Sequence, residues 1–276
     1  MVLQGEVRRG AELKLEANLV RIVPRADQAF ENTLGMKFVP LGRGNLLMSV
    51  HETRVADYRA FVQATGHRTA PGANLYSLNG GVWAPNQAGH SWENPGFARN
   101  EQHPVSMLTG ADAQAFCRWL TARDRATGDL RSNQSYRLPT PDEWMQACRR
   151  PDGSLPKYPW GDSWPPSANA GNLAGAEARN SDWPSNWDVI AGWSDRHPRS
   201  APVGSYPANA RGIHDLTGNV GEFVLLPDGT VRSHGFGFSV AQAERLTTAN
   251  YETHGNVGSI TIGFRCVLET GVTDAR

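Results

Sequence analysis

Apolar residues recur in helical steps at three places along the chain. Val55, Tyr58 and Val62 stand at i, i+3 and i+7 with Phe61 beside them. Thr53 is placed to cap that segment and Gly66 to stop it, so a helix is expected between them. A second helix is expected over residues 109–126, where Ala113, Phe116, Cys117 and Leu120 make one stripe. The third starts at Thr140. Thr140-Pro141-Asp142-Glu143 puts a hydroxyl at the N-cap, proline at the first helical position, and a glutamate placed to reach back to the cap amide. Such a cap contributes about 1 kcal/mol. Residues 36–50 predict two short strands around a glycine-rich turn, carried by Phe38 and Val39 and by Leu46, Leu47 and Met48. Residues 1–32 alternate weakly and predict an arm or an edge strand. Residues 67–104 read as a long irregular stretch rich in Gly, Asn and Pro, and such stretches are often functional. Beyond Arg150 short apolar runs lie between Gly, Asn, Asp and Pro, and no further helix is expected. Helices first and a loop-heavy strand half afterwards predict an α+β fold.

Composition narrows the classes of function. The 276 residues carry 27 basic and 27 acidic side chains, and the pI is about 7.1. A neutral chain without a dense Lys/Arg run weighs against nucleic-acid and polybasic membrane-surface partners. The 29 Gly and 18 Pro make the chain turn-rich, while nine Trp, nine Phe and six Tyr supply core material that a disordered chain lacks. Cys117, Cys148 and Cys266 form no CxxC pair and are expected as buried small hydrophobes. The opening residues carry no apolar run like that of a signal peptide. No stretch reaches the roughly 18 apolar residues of a spanning helix. The expectation is a cytoplasmic monomer, with surface or phage-associated display the alternative if a signal or partner lies outside this chain.

Catalytic patterns are missing from the sequence. None of the eight histidines stands in HxH, HxxxH or HExxH spacing, and no GxSxG, Walker or GxGxxG motif occurs. His214, His234 and His254 could converge only through the fold. The GFGFS run at 235–239 reads as a tight strand turn, and Arg137 with Glu143 as a structural ion pair.

From residue 32 to residue 267 a series of motifs runs in a recognisable order. It comprises NTLGMKFVP (32–40), ETRVADYRAFV (52–62), HPVSM (103–107), AQAFCRWLT (113–121), YRLPTPDEW (136–144), YPWGD (158–162), APVGSYPAN (201–209), GIHDLTGNVGEF (212–223) and GFRCV (263–267). Together they resemble the formylglycine-generating-enzyme-like, or sulfatase-modifying-factor, superfamily, a loop-rich variant of the C-type lectin fold. The resemblance implies one domain over residues 33–270. Fold alone does not assign function, because relatives include copper-dependent oxidases and non-catalytic binding proteins.

The resemblance implies two structural calcium sites. One would use Asn172, the Leu173 carbonyl, Asp195 and the His197 carbonyl. The other would use Asp215, the Gly218 and Val220 carbonyls and Glu222. Loop carboxylates, amides and carbonyls are the oxygen donors calcium accepts. The family's oxidases carry two cysteines on the segment that corresponds to residues 232–262, and thiolates suit Cu(I). No cysteine occurs there, so no copper and no catalytic residue is expected. An oxidoreductase with a non-thiolate iron or copper site remains the alternative. Gly221 also stands where the family's GNVWEW loop has Trp, which could open a pocket.

The C-terminal segment is crowded with aromatics and small polar residues, the chemistry of binding loops. It resembles the variable region of retroelement-diversified variable proteins. That resemblance implies a binding face made by Phe236, Phe238, Val240, Arg245, Tyr251, Thr253, His254, Ser259 and Thr261, with Phe236, Phe238 and Tyr251 at least partly exposed. The partner would be an unidentified protein or small molecule.

Overall fold

The structure is a computed structural model that describes residues 23–42, 44–69, 75–79, 82–86, 89–180, 183–184, 186–252 and 258–271. It is α+β and loop-rich. Strand β1 (Phe30–Glu31) pairs with β2 (Lys37–Pro40), and β3 (Leu46–Ser49) follows. Helix α1 spans Val55–Thr65, and Gly66 ends it at φ 67°. The cap is Arg54 rather than Thr53, because Asp57 accepts from the Arg54 amide at 3.0 Å and closes the box itself. Helix α2 (Gly110–Ala126) and helix α3 (Pro141–Cys148) begin on Thr109 and Thr140, each returning a bond to the residue three places on.

The stretch 67–104 is less irregular than expected. It holds a hairpin of β4 (Leu75–Asn79) and β5 (Val82–Pro85), whose runs LYSLN and VWAP are too short for strict alternation to stand out. After β6 (Ser135–Arg137), the second half contains a 3-10 turn at Ala176–Asn180 and short strands: β7 (Gly221–Leu225), β8 (Val231–His234), β9 (Tyr251–Glu252), β10 (Gly258–Ser259), β11 (Ile262–Gly263) and β12 (Val267–Glu269).

Three sheets result, ordered β1-β2-β3-β12-β6, β10-β4-β5 and β11-β7-β8-β9. Helices α1 and α2 cover the first sheet through Tyr58, Phe61, Phe116 and Leu120, which meet Phe38, Leu47, Tyr136 and Phe264. A second apolar cluster forms around Tyr158, Leu173, Trp183, Trp193, Phe236 and Phe238. A third gathers Trp144, Cys148, Ile213 and Val224. Arg137 and Glu143 form a two-pronged ion pair, both prongs 2.7 Å, which ties β6 to the start of α3. Among the described residues no helix is long and apolar enough to cross a membrane.

Candidate functional site

Strand β7 carries Glu222 into the interior, where it is 1% exposed. Arg265, fully buried, donates to it twice, Nε to Oε2 at 2.7 Å and Nη2 to Oε1 at 2.6 Å. The Trp144 indole N–H adds a bond to Oε2 at 2.9 Å. Nearby, Glu52 accepts from the Asn219 amide group at 2.7 Å and from the Val220 backbone N–H at 3.1 Å. Burial first, then the charges of Asp215 and Glu222, push the Glu52 carboxyl well above its usual range. Burial likewise pushes Asp215 up to about 6.

The second expected calcium set lies beside this internal ion pair. Glu222 is already neutralised and hydrogen-bonded by a guanidinium, and Asp215 Oδ2 is held by the Gly204 amide at 2.6 Å. Asp215 Oδ1 is buried with no donor, so one oxygen of this set is orphaned while Glu222 is engaged by Arg265. Arg265 is the positive charge that faces Glu222.

The first set is different. Asn172 is fully buried, and its side-chain N–H donates to the Arg199 carbonyl at 2.8 Å. That leaves Oδ1 buried with no donor. Asp195 accepts from the Leu173 and His197 amides at 2.6 and 2.8 Å. Burial pushes its carboxyl up to about 7, and the charge of Glu177 adds to the rise. The Leu173 carbonyl accepts from the Gly175 amide at 2.8 Å. Buried oxygens without donors are costly, and a bound cation would relieve them. This set fits calcium. Glu177, whose charge acts on Asp195, has no spacing that marks it out in the sequence.

The C-terminal segment walls a cleft of about 390 Å³. Five of the nine expected binding residues line it: Phe236, Val240, Arg245, Ser259 and Thr261. Phe236 is a correction in part, since it is only 6% exposed and its ring lies under the Arg245 guanidinium at 5.0 Å. Phe238 is a full correction. It is 1% exposed and meets Phe97 edge-on at 5.9 Å, so it belongs to the apolar cluster beneath the cleft. Period-two alternation in a short turn does not reveal which ring points inward. Tyr251 lies on β9 opposite His234. Thr253 and His254 lie outside the described residues.

The rest of the lining comes from three directions. Gly221, Ser233 and Ile262 come from the sheet of β7, β8 and β11. Gly235, Gly237, Ser239 and Gln242 come from the loop after β8, and Trp187 and Asp188 from the loop before Ile190. Gln242 donates to Asp188 at 2.7 Å, which ties the two loops across the cleft. The Ser259 and Thr261 hydroxyls meet at 2.9 Å. Glycine at 221 keeps the floor low; this is the position where the related loop carries tryptophan. The cleft thus offers hydroxyls, glycine backbone and aromatic edges, with Asp188 engaged by Gln242 and Arg245 lying over Phe236, and can hold a neutral or polar group.

The cysteines sit elsewhere. Cys117 and Cys266 face each other at 3.6 Å in the main core, and Cys148 lies beside Trp144, its thiol pushed up by burial. None lines the cleft, so the residues present do not fit a copper-dithiolate centre. His234 is buried and stacked on Trp144 at 4.1 Å, its ring held at about 4 by desolvation. The His214 ring donates to the Tyr206 carbonyl at 2.8 Å.

The formylglycine-generating enzyme of Streptomyces coelicolor is 29% identical over 274 residues, covering 81% of this chain and 79% of that protein. The hercynine oxygenase of Mycolicibacterium thermoresistibile is 29% identical over 188 residues, which is 62% of this chain and 33% of that protein, so the chain spans a third of it. PvdO from Pseudomonas aeruginosa shares the fold, with a TM-score of 0.60 at 17% identity over 88% of this chain and 98% of that one. Residues 40–270 match the sulfatase-modifying factor enzyme 1-like domain, and the chain belongs to that family.

Proposed function

We propose that this protein is a non-catalytic binding module that takes a neutral or polar small molecule, or a side chain of a protein partner, in the cleft beside β7 and β8. The observation that carries this reading is the lining itself. Serine and threonine hydroxyls, glycine backbone, Trp187 and Phe236 surround a volume suited to one small ligand. The positions where the family's oxidases place thiols carry none. The segment that walls the cleft is the one resembling retroelement-diversified variable proteins, and its exposed residues are free to change ligand without moving the sheet behind them.

The oxidoreductase alternative draws on the relatives named as formylglycine-generating enzyme and hercynine oxygenase. A non-thiolate metal centre needs converging donors. Among the described residues no three His, Cys, Asp or Glu side chains converge to support it.

Gly221→Trp tests the binding reading. It restores the bulk of the related loop and fills the cleft floor, where a Cβ would stand 3.3 Å from the Gly235 carbonyl. In a thermal-shift screen against a fragment library, compounds that stabilise the wild type should lose their effect on a folded Gly221→Trp protein. Compounds that stabilise both equally would place binding elsewhere.

Catalysis is tested separately. Copper-loaded protein given a sulfatase-motif cysteine peptide should leave the peptide mass unchanged. Conversion of that cysteine to formylglycine would overturn the non-catalytic reading.

We also propose that calcium stabilises the fold at Asn172 and Asp195, with the Leu173 and His197 carbonyls turned toward the same loops. When bound, the ion supplies positive charge to oxygens that otherwise lack it, and a ligand of the native state alone raises stability by mass action.

A further inference from the structure

Two oxygens of one carboxylate lie buried with no donor. Glu177 sits in the first turn of the short 3-10 segment Ala176–Asn180. Its side chain folds back over Gly175, so closely that a Cβ there would stand 2.5 Å from Oε1 and 2.6 Å from Oε2. Neither oxygen reaches solvent, and neither meets a hydrogen-bond donor. Gly175, over which the carboxylate lies, donates to the Leu173 carbonyl at 2.8 Å, and the Leu173 amide donates to Asp195 at 2.6 Å, so Glu177 and Asp195 flank the same turn. Asn172 Oδ1, also without a donor, contributes an independent buried oxygen. Its N–H side is fixed by the Arg199 carbonyl, so the oxygen cannot turn away without losing that bond.

Two carboxylates side by side out of water repel each other unless one takes up a proton or a cation lies between them. We infer that Glu177 is a direct ligand of the calcium ion proposed at Asn172 and Asp195, and that residue 175 is glycine because the ligating carboxylate needs the space of its Cβ. The inference rests on the calcium reading and adds a ligand to it. With Glu177 the donors are two carboxylates and a neutral amide oxygen, joined by loop carbonyls. That all-oxygen, flexible set suits calcium better than the rigid octahedron magnesium demands.

Calorimetric titration of chelator-treated full-length protein with calcium chloride tests this, together with melting curves in calcium and in chelator. The wild type should bind calcium and melt higher with it. Glu177→Gln should bind roughly tenfold more weakly or worse. In chelator it should melt no lower than the wild type, because the repulsion with Asp195 is gone. Gly175→Ala keeps the carboxylate but displaces it, and should lose affinity as well. Unaltered calcium affinity in Glu177→Gln would overturn the inference and leave the Asn172–Asp195 reading standing. An equal fall in melting temperature with and without calcium would make Glu177 a structural residue and overturn it too. A wild type that takes up no calcium would overturn the inference and the calcium reading together.

Discussion

Arg265→Met should destabilise the protein by about 3–5 kcal/mol, the cost of leaving a buried partner charge uncompensated. The guanidinium is fully buried and makes two bonds to Glu222, one to the Ser49 carbonyl at 3.2 Å and one to the His214 carbonyl at 2.9 Å. Glu52 and Asp215 lie within its field. Removing it leaves three carboxylates in the interior with no cation among them. Urea unfolding should show a lower midpoint at an unchanged slope. The double variant Arg265→Met with Glu222→Leu should recover part of the loss, since it removes the orphaned charge along with its partner. A single-variant loss below about 1 kcal/mol would mean that the network is wetter or less ionised than the geometry indicates.

Trp144→Ala should cost about 3–5 kcal/mol, through the cavity it leaves. The indole is 1% exposed, stacks on His234 with the rings 20° apart, and fills the space against Gly235, where a Cβ would come within 2.9 Å of it. It also loses its bond to Glu222. Because Gly235 lines the cleft, the variant should weaken ligand stabilisation as well as the fold. Full retention of stability by chemical denaturation would show that α3 is not seated on the third cluster as described.

The helices were legible because each announces itself locally, through a 3.6-residue stripe and a cap. Thr140 and Glu143 made the strongest signal and form the bonds it implied. The Asn79-Gly80-Gly81 run between LYSLN and VWAP marks the β4–β5 hairpin locally, but its third strand β10 lies about 180 residues away in the chain and no local pattern reports it. At the cleft, chemistry was easier to read than orientation. The sequence pointed to the right segment, and five of its residues reach the cleft, but Phe238 turns into the core. Trp187 and Asp188 were invisible because they enter from a different loop. The cation sites were hardest. The same residue types appear in both, and only three-dimensional pairing shows that Arg265 answers one set of carboxylates while Glu177 adds to the other.

Strand β12 lies between β3 and β6, pairing Leu268 with Leu47 on one side and with Tyr136 on the other. An interior strand of the main sheet is therefore the last of the described strands in chain order. While the chain is still growing, β3 and β6 each present an unpaired edge with no neighbour to fill the gap. Edges of that kind invite pairing with other chains, and contacts of such long sequence separation form slowly. Nascent protein should thus depend on chaperones until β12 emerges. A premature stop codon anywhere in the cleft-forming segment would remove this interior strand along with a wall of the cleft, so truncated products would be cleared rather than accumulate partly folded.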